Sequence, residues 1–399
     1  MSGETRHLAV RSLMRVLHAP VNIGNQPWVL SRYERQLGIE SDFHVNFDGA
    51  FGYRADKVIS KVGDKSPSEL RNRLLAGLSA PLDYDVFHFY FGKTLLCWDD
   101  YFSGDDYRYL DLEIAKRLGK PVFFTLQGCD VRIAGESTKL AFTPCRSDAC
   151  GLFSSCVLKE DNKRRQFLSE ILPKADRAFY LNPELSRYVR GGEFLPYSSV
   201  DVESIAVHPP KSGGRPTIVH APSDASIKGT PLILRALEML RKERDFELVL
   251  VQNMPHEQAL EIYRTADIVI DQVLSGWYGG FAVEAMAMGK PVMCYLRHED
   301  LGRVPGEMLA DLPIAEIRPD NLADDIAAVL DRRAEWGDWS DHSRRFAETW
   351  HHPRTIAEAM IKLYEDPSTP MTIMQYIADR AAAGAGNGAA KASARVGRS

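Results

Sequence analysis

Residues 266–295 read ADIVIDQVLSGWYGGFAVEAMAMGKPVMCY, and their order of segments decides the fold. An apolar run closes at Asp271, a loop carries Gly276, Gly279 and Gly280, a helix is predicted to begin near Phe281, and Pro291 opens a second apolar run. Strand, glycine loop, helix and strand in this order form one unit of an open parallel sheet with helices on its faces. Such sheets bind ligands at the carboxyl ends of their strands, where a helix N-terminus offers backbone N–H groups and partial positive charge to a phosphate. Glycines at that point let a ligand approach the backbone closely. Glu284 falls within the first turn or so of the helix. Its carboxylate can accept hydrogen bonds from a ribose diol, or it can simply favour the helix dipole while the glycines form a turn.

The rest of the second half keeps this rhythm, with strands predicted at 217–221, 246–251, 268–271 and 291–295 and helices at 230–242, 256–265 and 280–288. The first half reads likewise, with strands at 13–19, 43–47, 85–89, 121–126 and 178–181. There Gly24 makes a turn that feeds a helix over 28–37, whose apolar residues Val29, Leu30, Tyr33 and Leu37 share one side. Between the halves, 207–215 holds Pro209, Pro210, Gly213 and Gly214, which break both patterns. The expected organisation is a Rossmann-like domain over 1–210, a second over 211–366, a returning helical region over 367–384 and a disordered tail over 385–399. The tail is almost entirely Ala, Gly, Lys, Arg, Asn and Ser, too poor in apolar surface to offset ordering.

A chain of 399 residues suits two α/β domains facing a cleft. With 49 basic and 54 acidic residues it offers no field for nucleic acid and no polybasic anchor. No run reaches the ~20 apolar residues of a membrane span, and residues 1–15 lack a signal-peptide core. The expectation is a cytoplasmic protein, with contact at the inner face of the membrane left open.

The 266–295 stretch resembles the donor-site signature of retaining GT-B glycosyltransferases, specifically bacterial glycosyltransferase family 4. The family pattern is a Glu, seven residues, a second Glu, then Ala-Met-Ala and Gly-Lys-Pro-Val. Glu284-Ala285-Met286-Ala287 and Gly289-Lys290-Pro291-Val292 match its second part, while Gly276 stands where the first Glu contacts the donor sugar. The segment 218–230, IVHAPSDASIKGT, resembles the place where a Lys-Gly pair opens a helix against the donor diphosphate, which points to Lys228. The family often carries an Arg shortly before that Lys, and none occurs between Arg215 and Lys228. Gly24-Asn25 resembles the glycine turn after the first strand. Leu126-Gln127-Gly128-Cys129-Asp130 resembles a His-Gly-Ser-Asp segment that faces the donor sugar, with Gln127 keeping the hydrogen bonding of His without its titration.

The resemblance implies a GT-B α/β fold: two facing Rossmann-like domains, an acceptor-binding first half and a donor-binding second half, with a final helix, expected at Met371–Arg380, crossing back. It implies a nucleotide-sugar co-substrate, no cofactor, no catalytic metal, and a glycan, lipid-linked or protein acceptor. Lys228 is the expected charge on the leaving diphosphate. Asp130 orients a sugar hydroxyl or the acceptor, or else caps a turn. The expected donor-site residues are Gly24, Gln127, Lys228, Gly279, Gly280, Phe281, Ala282, Val283 and Glu284. Trp277 and Tyr278 either stack on a ligand or pack, and His351-His352 marks a helix entry. The three cysteines Cys145, Cys150 and Cys156 within twelve residues are weighed as a closed four-ligand zinc site against plain packing. Two other readings stay open: a nucleotide-sugar epimerase and a non-catalytic GT-B partner subunit.

Overall fold

The computed structural model describes residues 14–49, 51–64, 66–98, 107–146, 148 and 150–383. The tail expected over 385–399 therefore lies outside the described residues.

Two parallel sheets carry the fold. The first contains β1 (Arg15–Ala19), β2 (Glu40–Val45), β3 (Lys57–Val58), β4 (Val86–Tyr90), β5 (Val122–Leu126), β6 (Arg177–Tyr180) and β7 (Glu193–Phe194), in the order β3-β2-β1-β4-β5-β6-β7. The second contains β8 (Thr217–His220), β9 (Glu247–Leu250), β10 (Ile268–Ile270), β11 (Val292–Cys294) and β12 (Ile314–Glu316), in the order β12-β11-β10-β8-β9. The chain leaves the first sheet at Phe194 and enters the second at Thr217, on either side of the Pro/Gly-rich stretch. β1, β4 and β5 are almost wholly buried, as strands covered by helices on both faces must be.

Each sheet reverses its strand order once, between β1 and β4 in the first and between β8 and β10 in the second. At such a switch point adjacent loops diverge and leave a crevice beyond the strand ends. Gly24 follows β1, Lys228 follows β8, and Gly279 and Gly280 follow β10. The sequence motifs thus sit at the two crevices.

The end of the chain crosses back to the first domain as expected, by an earlier helix. A helix does span 373–383, but the crossing to the first domain is made earlier, by the helix Pro353–Glu365. This helix packs on the first-domain helix Gln26–Gln36. Its Tyr364 hydroxyl lies 2.7 Å from His88 Nδ1, and the Tyr364 ring meets Phe123 edge-on at 5.0 Å. Arg177 Nε donates to the Pro367 carbonyl at 2.8 Å and Arg177 Nη1 to that of Met371 at 3.1 Å, so the following segment lies on the first domain too. His352 caps the crossing helix by accepting from Arg354 N at 3.3 Å, and Pro353 supplies a preset φ at its first turn. Among the described residues no helix is long and apolar enough to cross a membrane.

Candidate active site

A cavity of about 510 Å³ opens between the two strand-end faces, with walls from both domains. Its second-domain wall begins where β8 ends. Asp224 accepts from Ser226 N at 2.8 Å and Ile227 N at 3.0 Å, nucleating the single turn Ala225–Lys228. Gly229 then reverses the chain at φ +76°, and a Cβ there would stand 2.5 Å from Val273 Cγ2. The Val273 N–H donates to the Lys228 carbonyl at 3.0 Å, joining the Lys228 turn to the loop after β10.

Lys228 is nearly buried, and its Nζ donates to Asp271 Oδ1 at 2.7 Å. The other oxygen of Asp271 accepts from Gly279 N at 2.6 Å. A fully buried carboxylate thus holds both the lysine and the glycine turn that starts the helix Gly280–Ala287. The close approach also explains Gly279, since a Cβ at this position would lie 2.9 Å from the Lys228 Nζ. Asp271 stood in the sequence only as a strand end, and its pairing with Lys228 was not foreseen.

Glu284 lines the same cavity from the Gly280–Ala287 helix, with Oε1 2.5 Å from His256 Nε2. Burial lowers the proton affinity of His256, but the hydrogen bond and charge of Glu284 outweigh it and the pKa is raised above 6.5. Tyr53, from the first domain, packs its ring against His256 at 5.1 Å. Neither His256 nor Tyr53 was singled out from the sequence. His256 was visible as the start of a predicted helix, whereas nothing in the local pattern around Tyr53 marks it.

Of the expected donor-site residues, Gly24, Gln127, Lys228, Gly279, Gly280, Phe281 and Glu284 line the cavity. Ala282 and Val283 do not: both are 0% exposed and belong to the core on the helix's inner side. Asp130 is also absent from the lining. Its Oδ1 accepts from Gly128 N at 2.6 Å and its Oδ2 from Gln127 N at 3.0 Å, so it shapes the turn that presents Gln127. These are the bonds of the turn-capping reading of Asp130. Trp277 and Tyr278 are buried packing residues, with the Tyr278 hydroxyl 2.8 Å from His351 Nε2.

Gly276 adopts φ +75°, and a Cβ there would fall 2.5 Å from the Cβ of Arg297. The backbone that carries a Glu in the resembled motif is therefore shaped for glycine here. Among the described residues, no group of three or more His, Cys, Asp and Glu side chains is placed to hold a metal ion. Cys156 Sγ instead accepts from Arg164 at 3.5 Å, and Cys145 is partly buried beside Arg132 and Cys129.

No family model matches the chain, and no curated protein matches it by sequence. Its fold does match solved structures. Sucrose-phosphate synthase from Thermosynechococcus elongatus is similar over 88% of this chain and 98% of that one, at 14% identity and TM-score 0.58. Anabaena HepE, solved with UDP-glucose, is similar over 88% of this chain and 99% of that one, at 11% identity and TM-score 0.54. With the two parallel sheets and their facing crevices, these likenesses establish an α/β GT-B fold.

Proposed function

We propose that this chain is a glycosyltransferase that moves a hexosyl group from a nucleotide-sugar donor to a glycan, lipid-linked or protein acceptor, with retention of anomeric configuration. The observation that carries the reading is the convergence of Lys228, the start of the Gly280–Ala287 helix and Glu284 on one cavity between two GT-B domains. A nucleoside diphosphate needs positive charge at its phosphates and an acceptor for its ribose hydroxyls, and these groups offer both. HepE, a structural neighbour, was solved with UDP-glucose. In this reading the protein acts in the bacterial cytoplasm or at the inner face of the membrane, in synthesis of envelope or surface glycan.

As the bond between sugar and phosphate lengthens, negative charge grows on the departing phosphate. Lys228 and the N–H groups at the helix start stabilise it without reorganising, because Asp271 already holds both in place. The acceptor hydroxyl attacks from the side the phosphate leaves, and a phosphate oxygen takes its proton. The lining supports this route: Glu284 is its one carboxylate among the described residues, and it is turned toward His256. A displacement needing a carboxylate nucleophile or an unengaged carboxylate base has no candidate among the described lining residues. The reading calls for no metal or cofactor.

The test is a thermal-shift screen of nucleotides and nucleotide sugars, since a ligand of the native state raises the melting temperature by mass action. Donors that bind are then incubated with and without acceptor extracts. The absence of any stabilising nucleotide would sink the reading. A new sugar isomer from donor alone would favour the epimerase, and binding without hydrolysis or transfer the non-catalytic subunit.

A further inference from the structure

The first-domain wall of the cavity carries a cation that the donor-site motifs do not account for. Arg132 lies one turn beyond the Gln127-Gly128 turn, is 3% exposed, and still lines the cavity. Its Nε donates to Glu184 and its Nη1 reaches Cys129 Sγ at 3.9 Å, while Nη2 has no hydrogen-bond partner among the described residues. Both terminal nitrogens stand 3.7–3.8 Å from where a Cβ on Gly128 would be, so the guanidinium lies over a turn without a side chain. Next to it, Gln127 Nε2 is buried without a partner and Gln127 lines the cavity. A buried N–H without an acceptor is a costly arrangement that a bound acceptor group would relieve.

The carboxylate that holds Arg132 is not its own alone. Glu184 is shared between Arg132 and Arg297, the latter at 3.0 Å, and Asp300 between Arg297 at 3.2 Å and Arg187 at 2.6 Å. Three guanidiniums thus share two buried carboxylates and the more exposed Glu299, which lies 3.4 Å from Arg187 and 4.0 Å from Arg297. Arg132 is the member of this cluster that reaches the cavity. Tyr197, which also lines the cavity, lies in the field of both Arg132 and Asp271. At position 276, where the resembled motif carries a Glu, this chain has a glycine packed on Arg297, so the cluster extends into that place.

We propose that Arg132 and Gln127 form a subsite for an anionic substituent, a carboxylate or phosphate, at the sugar end of the cavity. The inference rests on the nucleotide-sugar reading for the rest of the cavity. The anion belongs either to the donor sugar, as in a nucleotide-linked uronic acid, or to the acceptor. In both cases it takes a charge-assisted bond from Arg132 Nη2 and a neutral one from Gln127 Nε2.

Two measurements decide it. The first is calorimetry of the intact protein with UDP-glucuronic acid, UDP-glucose and UDP, and with GDP-mannuronic acid, GDP-mannose and GDP. The second is alkylation of Cys129, which lines the cavity beside Arg132, by anionic iodoacetate and neutral iodoacetamide, read by mass spectrometry. The ratio of the two rates reports the anion preference of the site and cancels any change in thiol acidity. We expect the uronic-acid donor of one nucleotide to bind about tenfold or more tighter than its neutral counterpart, as loss of a charge-assisted bond costs about that factor. In Arg132→Gln the gap and the iodoacetate-to-iodoacetamide ratio should both fall while affinity for the parent nucleoside diphosphate stays. Equal binding of the two sugars with an Arg132-dependent alkylation ratio assigns the anion to the acceptor. Equal binding with a ratio unchanged in Arg132→Gln overturns the proposal. Failure of every nucleotide to bind defeats the donor reading instead, and the alkylation ratio still judges the anion site. If Arg132→Gln does not fold, Arg132→Lys, which keeps the charge and loses the fork, should retain the ratio in part.

Discussion

Lys228 is paired with a carboxylate that solvent does not reach, and this changes what its removal does. From sequence alone it reads as a loop lysine whose loss spares folding. In the structure, Lys228→Ala leaves Asp271 Oδ1 buried without its partner. We expect a fall in turnover of about a hundredfold or more together with a stability loss of about 1–3 kcal/mol. Lys228→Ala combined with Asp271→Asn should regain part of the stability and none of the rate. Urea midpoints and product assays separate the two, and a folded Lys228→Ala protein of unchanged rate would remove Lys228 from the site. Glu284 carries the companion expectation. With His256 protonated, Glu284 is held in an ion pair that competes with a ribose diol. The raised His256 pKa means the pair's contribution to stability is complete below pH 6.5 and is lost as pH rises through the folded value. Glu257 adds to the raised value, and the Tyr53 and Tyr263 hydroxyls, both pushed to high pKa by burial first, stay neutral throughout. Affinity for a nucleoside diphosphate should therefore increase with pH across that range in the wild type. Glu284→Ala should bind it more weakly and show no such rise. Calorimetry giving equal affinities for both proteins at every pH would refute the role.

At the scale of elements, strands with a buried apolar run were legible. β1, β4, β5, β8 and β10 lie where periodicity places them, because burial on both faces leaves a continuous apolar signature. β3, β7 and β12 are two or three residues long and lie at or next to the sheet edges, where no apolar run marks them. The helix Trp336–Trp350 was missed because its polar residues outweigh its buried stripe of Trp336, Phe346 and Trp350. In the site, Lys228 and Glu284 were legible because each belongs to a short local motif. Asp271, His256 and Arg132 act through partners 43, 28 and 52 residues away in the chain, a distance that local patterns do not record. The glycine loop gives the sharpest test at this scale. Introducing the carboxylate of the resembled motif with Gly276→Glu places an L-residue at φ +75° against Arg297. The expected result is a stability loss of about 1–3 kcal/mol from backbone strain alone, and no gain in donor affinity. A stable variant that binds a nucleotide sugar more tightly would show that the loop relaxes.

At the scale of the whole molecule, Glu184 holds the two domains together from within the first. It accepts from Arg132 of its own domain and from Arg297 of the other, and its side chain is 1% exposed. Burial would raise its pKa, but the two guanidiniums more than compensate and the value falls below 4.5. Its stabilisation is therefore complete above pH 4.5 and lost as pH falls through the folded value. Glu184→Gln should cost about 3 kcal/mol at neutral pH, since it leaves two buried cations short of a counter-charge. The difference from wild type in urea melts should shrink below pH 4.5. A constant difference across pH would mean that the Gln packs badly and that the charge is not the cause.

The crossing helix has a further consequence, in the order of synthesis. Tyr364 closes the His88 and Phe123 side of the first domain, so that domain's packing includes a residue translated long after its own strands. A ribosome releases the first half long before Pro353–Glu365 exists. During that interval the Phe123 side of the nascent domain lacks its Tyr364 cover, and the domain that emerges first waits on residues beyond the second sheet to be complete.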